Sequence, residues 1–93
     1  MYASVRTYAG DRDLADTLAA REDEVRQVIG GINGFKAYYL LKTGEGTTTI
    51  SVFEDQAAAE ESNRAAAAWL ADNLPDRDIA PAQIAAGEAV LNF

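Results

Sequence analysis

Arg6 is the side chain in this sequence best suited to hold a charged or polarisable group. In Tyr2–Tyr8 a period of two places Ser4, Arg6 and Tyr8 on one side and Ala3, Val5 and Thr7 on the other. An arginine in mostly apolar surroundings would grip an anionic group or polarise a carbonyl. An ion pair with a carboxylate on another strand, such as Glu88, would give it a purely structural role instead. Tyr38 could donate a proton to, or hold, an oxygen of an aromatic ligand, although a tyrosine of this kind more commonly packs in a subunit interface. With Tyr8, Thr49 and Ser51, these residues form the candidate ligand-binding face. No residue is singled out as catalytic.

The chain contains no histidine and no cysteine. The commonest general base, the thiol nucleophile and most transition-metal ligand sets are therefore missing, which leaves carboxylate, tyrosine and lysine chemistry. Asp11-Arg12-Asp13 and Asp76-Arg77-Asp78 lack the glycine and closing glutamate of a calcium loop, so they read as helix caps and solvated loops. Gly44-Glu45-Gly46 lacks the third glycine and following helix of a nucleotide loop, so it reads as a turn. No metal and no cofactor is expected.

The elements that must position these residues are legible as a series. After the strand over Tyr2–Tyr8, either aspartate of Asp11-Arg12-Asp13 can cap a helix. Leu14, Leu18, Val25, Val28 and Ile29 then predict one helix over Leu14–Ile29, with Arg21, Glu22, Asp23, Glu24 and Arg26 mostly on its wet side. Gly30-Gly31 ends it, and Asn33-Gly34 turns the chain into a hairpin over Gly34–Glu54, the clearest strand–turn–strand signal present. Asp55 caps an alanine-rich helix over Gln56–Leu74, whose inward side carries Ala58, Ser62, Ala65, Trp69 and Leu70. Trp69 reads as a core anchor between that helix and the sheet. Pro75–Pro81 is a loop, and Ala82–Phe93 a last strand in which Gly87 suggests a bulge. The order is βαββαβ, an α+β ferredoxin-like plan with two helices on one face of a four-stranded antiparallel sheet.

A two-residue loop, Gly44-Glu45, suits a type II′ turn and sets the hairpin register. It pairs Leu41/Thr48, Tyr39/Ile50 and Ala37/Val52 on one face, with Phe35 at its end. Lys42/Thr47, Leu40/Thr49, Tyr38/Ser51 and Lys36/Phe53 fall on the other. The first, more apolar set is expected under the helices. The second, joined by Ser4, Arg6 and Tyr8, is expected to form a dimer interface, a lined cavity or both.

The 93 residues make one domain, 1–93. A chain this short buries only roughly 60–65% of its unfolded surface, which favours oligomerisation. Eight basic against 15 acidic residues, net −7, argue against nucleic acid and anionic membranes as partners. Residues 47–93 carry 2 Lys/Arg against 8 Asp/Glu, so most of the negative charge lies there. No apolar run approaches the roughly 18 residues of a membrane span, and the first residues lack a signal-peptide pattern, so the expected location is cytoplasmic.

The βαββαβ order, Ile32-Asn33-Gly34-Phe35 and Val52-Phe53-Glu54-Asp55 resemble the dimeric α/β-barrel proteins, including antibiotic-biosynthesis monooxygenase-like (ABM-like) domains. Glu61-Ser62-Asn63-Arg64-Ala65-Ala66-Ala67-Ala68-Trp69-Leu70 and Ala86-Gly87-Glu88-Ala89-Val90 resemble small members of that group without an assigned activity. The resemblance implies a homodimer whose two sheets close into a barrel, sometimes with a cleft between sheet and helices. It also implies binding, and in active members oxidation, of a small hydrophobic or aromatic molecule. The haem-degrading type uses an axial histidine, which this chain lacks. The quinone-forming, cofactor-independent type relies on Trp, Tyr, Asn and Arg, and Trp69, Tyr8, Tyr38, Asn63 and Arg6 supply those residue types. A non-catalytic dimeric module, its inner face filled by the partner subunit, is the alternative.

Overall fold

The structure is a computed structural model that describes residues 1–93. Strand β1 (Tyr2–Ala9) leads to helices α1 (Asp13–Ala20) and α2 (Glu22–Gly30). The hairpin of β2 (Phe35–Lys42) and β3 (Gly46–Phe53) follows, then α3 (Gln56–Asn73) and β4 (Gln83–Glu88). The sheet order is β2-β3-β1-β4 with every neighbouring pair antiparallel, the ferredoxin-like arrangement. No helix is long and apolar enough to cross a membrane.

Local chemistry sets the element ends. Asp11 accepts a hydrogen bond from the Leu14 N–H at 3.1 Å, and Asp55 accepts one from Ala58 at 2.9 Å, so both anticipated caps form. The single helix expected over Leu14–Ile29 is broken at Arg21, whose backbone (φ −115°, ψ 37°) leaves the helical region. A continuous helix would aim Arg21 or Glu22 inward between the apolar pairs Leu14/Leu18 and Val25/Ile29. With the break, Arg21 lies against Trp69 while Leu14, Leu18 and Ile29 remain buried.

The hairpin register is as expected from Ala37/Val52 to Lys42/Thr47. The turn is not type II′, because Gly44 does not have positive φ. Instead the Thr43 hydroxyl accepts from the N–H groups of Glu45 and Gly46, and the Glu45 carbonyl accepts from Gly10 at 2.6 Å. The bulge lies at Lys36 rather than Gly87: Phe35 pairs with Phe53 and Ala37 with Val52, while Gly87 sits in unbroken register with Ala3. The last strand ends at Glu88, short of the expected Phe93. The Ala89 N–H donates to the Met1 carbonyl at 2.8 Å, and Val90, Leu91 and Phe93 beyond it are exposed.

One expectation is reversed. The helices cover Ser4, Arg6, Tyr8, Thr47, Thr49, Ser51 and Phe53, all buried. Ala37, Tyr39, Leu41, Ile50 and Val52, the set expected under the helices, lie on the open face of the sheet, where Tyr39 is 57% and Leu41 41% exposed. Phe35 alone of that set packs beneath the helices, edge-on to Phe53 with centroids 5.9 Å apart, because the bulge at Lys36 switches its side. The reason for the reversal is α3, whose inward residues Ser62 and Asn63 bond to the polar strand residues and hold that face inside.

Gly46 is where backbones approach most closely: a Cβ there would lie 2.2 Å from the Tyr8 carbonyl oxygen. Gly46→Ala is expected to cost about 1–3 kcal/mol in urea denaturation. Gly87→Ala, where a Cβ meets nothing within 4 Å, is expected to leave the midpoint unchanged or raise it slightly.

Candidate functional site

The interior between helices and sheet has two apolar clusters with a polar strip between them. One cluster centres on Ile29, Ile32, Phe53, Ala58 and Ala59, the other on Tyr8, Leu14 and Leu18. The strip is built around Arg6, 2% exposed. Its Nη1 donates to Asn63 Oδ1 at 2.8 Å and Ser62 Oγ at 3.4 Å, and its Nη2 to Ser51 Oγ at 3.3 Å. Ser4 Oγ donates to the same Asn63 oxygen at 2.8 Å, and Ser62 Oγ to the Ala59 carbonyl at 2.7 Å.

Every one of these acceptors is neutral. The ion pairs of the protein join other residues, and none includes Arg6. The pairing with Glu88 considered from sequence does not occur: Arg6 lies opposite Ile84 on β4, while Glu88 lies opposite Tyr2. Taking a guanidinium out of water without a counter-charge is costly, and neutral hydrogen bonds offset only part of that cost. Arg6 Nε has no partner, and neither does Thr49 Oγ1, which sits directly across from Arg6 in the β1–β3 register.

Beside this strip lies a cavity of about 30 Å³. Arg6, Tyr8, Tyr38 and Thr49 contribute its polar groups, and Leu18, Val25, Ala66 and Trp69 are among its apolar walls. It has room for a few small atoms rather than a ring, since one water needs about 10–15 Å³ by the same measure. Larger clefts flank it. One of about 590 Å³ runs between α1–α2 and β2 and shares Tyr38, Leu18 and Val25 with the chamber. The other, about 530 Å³, runs beneath α3 and the 75–82 loop and shares Arg6, Tyr8 and Leu70. Arg21 closes the Trp69 side: its guanidinium lies 4.9 Å from the indole centroid and bonds Glu24 and Asn73. Arg21 was read as a wet-side residue; the helix break turns it onto Trp69.

All five residues expected from sequence, Arg6, Tyr8, Tyr38, Thr49 and Ser51, therefore share one side of the sheet and surround one strip. That side faces the helices of the same chain rather than a second sheet. Asn63 bonds Arg6 in the strip and Trp69 lines the cavity beside it; the resemblance had supplied their residue types without placing them. Ser62 was missed as a site residue. Its signal was available: Ser62 is the residue of the polar run Glu60–Arg64 that falls on the inward side of the helix with Ala58, Ala65 and Trp69. No group of three His, Cys, Asp or Glu side chains gathers to hold a metal ion.

No family model and no curated protein matches the chain. Solved structures do. The haem degrader MhuD of Mycobacterium tuberculosis, with two haems in its active site, aligns at a TM-score of 0.72 and 18% identity over 100% of this chain and 99% of that one. NE2512 of Nitrosomonas europaea, a protein of unknown function, aligns at 0.67 and 24% identity over 99% and 90%. SnoaB, a cofactor-independent oxygenase of Streptomyces nogalater, aligns at 0.59 and 18% over 99% and 93%. The likeness is one of fold, the ferredoxin-like arrangement of a four-stranded antiparallel sheet with helices on one face.

Tyr8 and Tyr38 hold their protons above the usual phenol value of 10.0. Burial is the larger cause for both and disfavours phenolate; the nearby Arg6 charge pulls the other way. As pH rises, the unfolded chain releases these protons first, so their stabilisation is complete below pH 10 and is lost above it. The urea midpoint is expected to fall from about pH 10 upward, with a shallower fall in Tyr8→Phe and Tyr38→Phe.

Proposed function

We propose that residues 1–93 form a homodimeric, cytoplasmic ferredoxin-like domain that binds a small hydrophobic or aromatic molecule between helices and sheet and oxidises it with O2 without a cofactor. The observation that carries this reading is the buried Arg6 guanidinium, without a carboxylate partner, at the wall of an apolar chamber. The chamber accepts only the oxygen-bearing end of such a molecule; the ring occupies a flanking cleft. The fold likeness to an oxygenase described as cofactor-independent supports the same reading.

Each role follows from chemistry on the wall. Arg6 stabilises the anion of a phenol or enol, lowering the cost of its ionisation in a site from which water is largely excluded. Tyr8, Tyr38 and Thr49 are hydroxyl donors to the same oxygen. The chamber wall holds no carboxylate or imidazole and its phenols keep their protons, so the substrate's proton passes to solvent rather than to a side chain. The electron-rich anion then gives electrons to O2. For an anthrone-type methylene the balance is CH2 + O2 → C=O + H2O, with carbon oxidised and dioxygen reduced.

Haem does not suit this site. The chain offers neither imidazole nor thiolate, and burial keeps the chamber's phenols in the protonated form that ligates iron poorly.

The dimer rests on the open sheet face, where Tyr39, Leu41, Ile50 and Val52 make an apolar surface that a second copy would cover. The same surface favours a second reading, a non-catalytic module whose only work is association through this face. Turnover separates the two.

Incubation with anthrone and polyphenol substrates under O2 is expected to give quinone with one O2 consumed per product. Arg6→Met should lower the rate by about 100-fold or more, as loss of an oxyanion donor does. Neither turnover nor binding across a broad panel would refute the first reading and leave the module. Light scattering is expected to show a dimer, and Leu41→Lys to shift it toward monomer; a wild-type monomer at micromolar concentration would exclude association in both readings.

A further inference from the structure

The chamber is where the Arg6 charge used by the oxidation reading finds no counter-charge from the protein itself. It confines a full positive charge, and the two buried side-chain atoms there without partners are both able to donate: Arg6 Nε–H and the Thr49 hydroxyl. These residues face each other across the β1–β3 register, and each is 2% exposed. The remaining polar groups of the wall are the Tyr8 and Tyr38 hydroxyls, whose oxygens lie toward Arg6 as acceptors and whose O–H groups remain able to donate. No carboxylate lines the chamber, although the chain carries 15 of them. A small space surrounded by donors, with one uncompensated cation and apolar walls, has the chemistry of an anion site.

We propose that the chamber binds one small monovalent anion, of the halide, formate or nitrate class, on Arg6 and Thr49. The bound anion neutralises Arg6 in the ligand-free protein, and the oxyanion of a larger ligand must displace it. The chamber of about 30 Å³ admits such an ion but not an aromatic ring. The proposal concerns the same chamber as the oxidation reading but requires neither an aromatic ligand nor turnover. Failure of one therefore leaves the other standing.

The test uses the wild-type chain and sodium formate, exchanged for sodium gluconate at constant ionic strength. The melting temperature is expected to rise by several degrees and to saturate, as ligand binding to the folded state alone requires. Trp69, the single tryptophan, lines the chamber, so its fluorescence should change with the same midpoint. Thr49→Val should weaken formate binding about tenfold, and Arg6→Met should abolish it. Arg6→Lys keeps the charge but loses the fork, so it should bind more weakly than wild type. If Arg6→Met does not fold, Thr49→Val and Arg6→Lys carry the comparison. A rise that never saturates, one unchanged in all the variants that fold, or one without a response from Trp69 would overturn the proposal.

Discussion

A guanidinium buried without a counter-ion is the constraint that the rest of this structure satisfies. Arg6 stands in the middle of a central strand, and its charge cannot be left among hydrocarbon. Ser51 on the neighbouring strand and Ser62 and Asn63 on α3 meet its donors. Ser4 shares the Asn63 oxygen, so the bond network ties β1 to α3 and to β3. The alanines of α3 belong to the same solution: Ala58, Ala59 and Ala66 let the helix approach closely enough for a short asparagine to reach the sheet. The two apolar clusters hold the helices down on either side of the strip. What is left unfilled at its centre is the chamber.

That arrangement determines the other face of the sheet. With the polar strand residues committed inward, strict alternation sends Ala37, Tyr39, Leu41, Ile50 and Val52 outward. An apolar open face and a polar interior are thus one feature seen from two sides. The candidate site therefore lies inside a single chain, and the apolar open surface lies on the opposite side of the same four strands.

Much of this could be read from residue patterns. Alternation along β1 grouped Ser4 with Arg6 and Tyr8, and a two-residue loop paired Tyr38 with Ser51 and Leu40 with Thr49, as the structure has them. Asp11 and Asp55 announced both helix starts. The failures were of another kind. Leu14, Leu18, Val25 and Ile29 suit one helix nearly as well as two, and only docking on the sheet decides where Arg21 breaks it. The shift at Lys36 and the end of β4 at Glu88 depend on which partner residues remain available for pairing.

From the sequence alone follow the order of elements apart from the break at Arg21, the membership of each sheet face apart from Phe35, and the absence of histidine and cysteine that narrows the chemistry. These are properties of neighbouring residues, dictated by backbone periodicity and turn length. Tertiary structure decided which face the helices cover, and with it whether Arg6 looks toward a partner subunit or toward α3. Periodicity sorts side chains into two sets but carries no sign. The sign comes from long-range contacts, here the bonds from Arg6 to Ser62 and Asn63, residues 56 and 57 positions away.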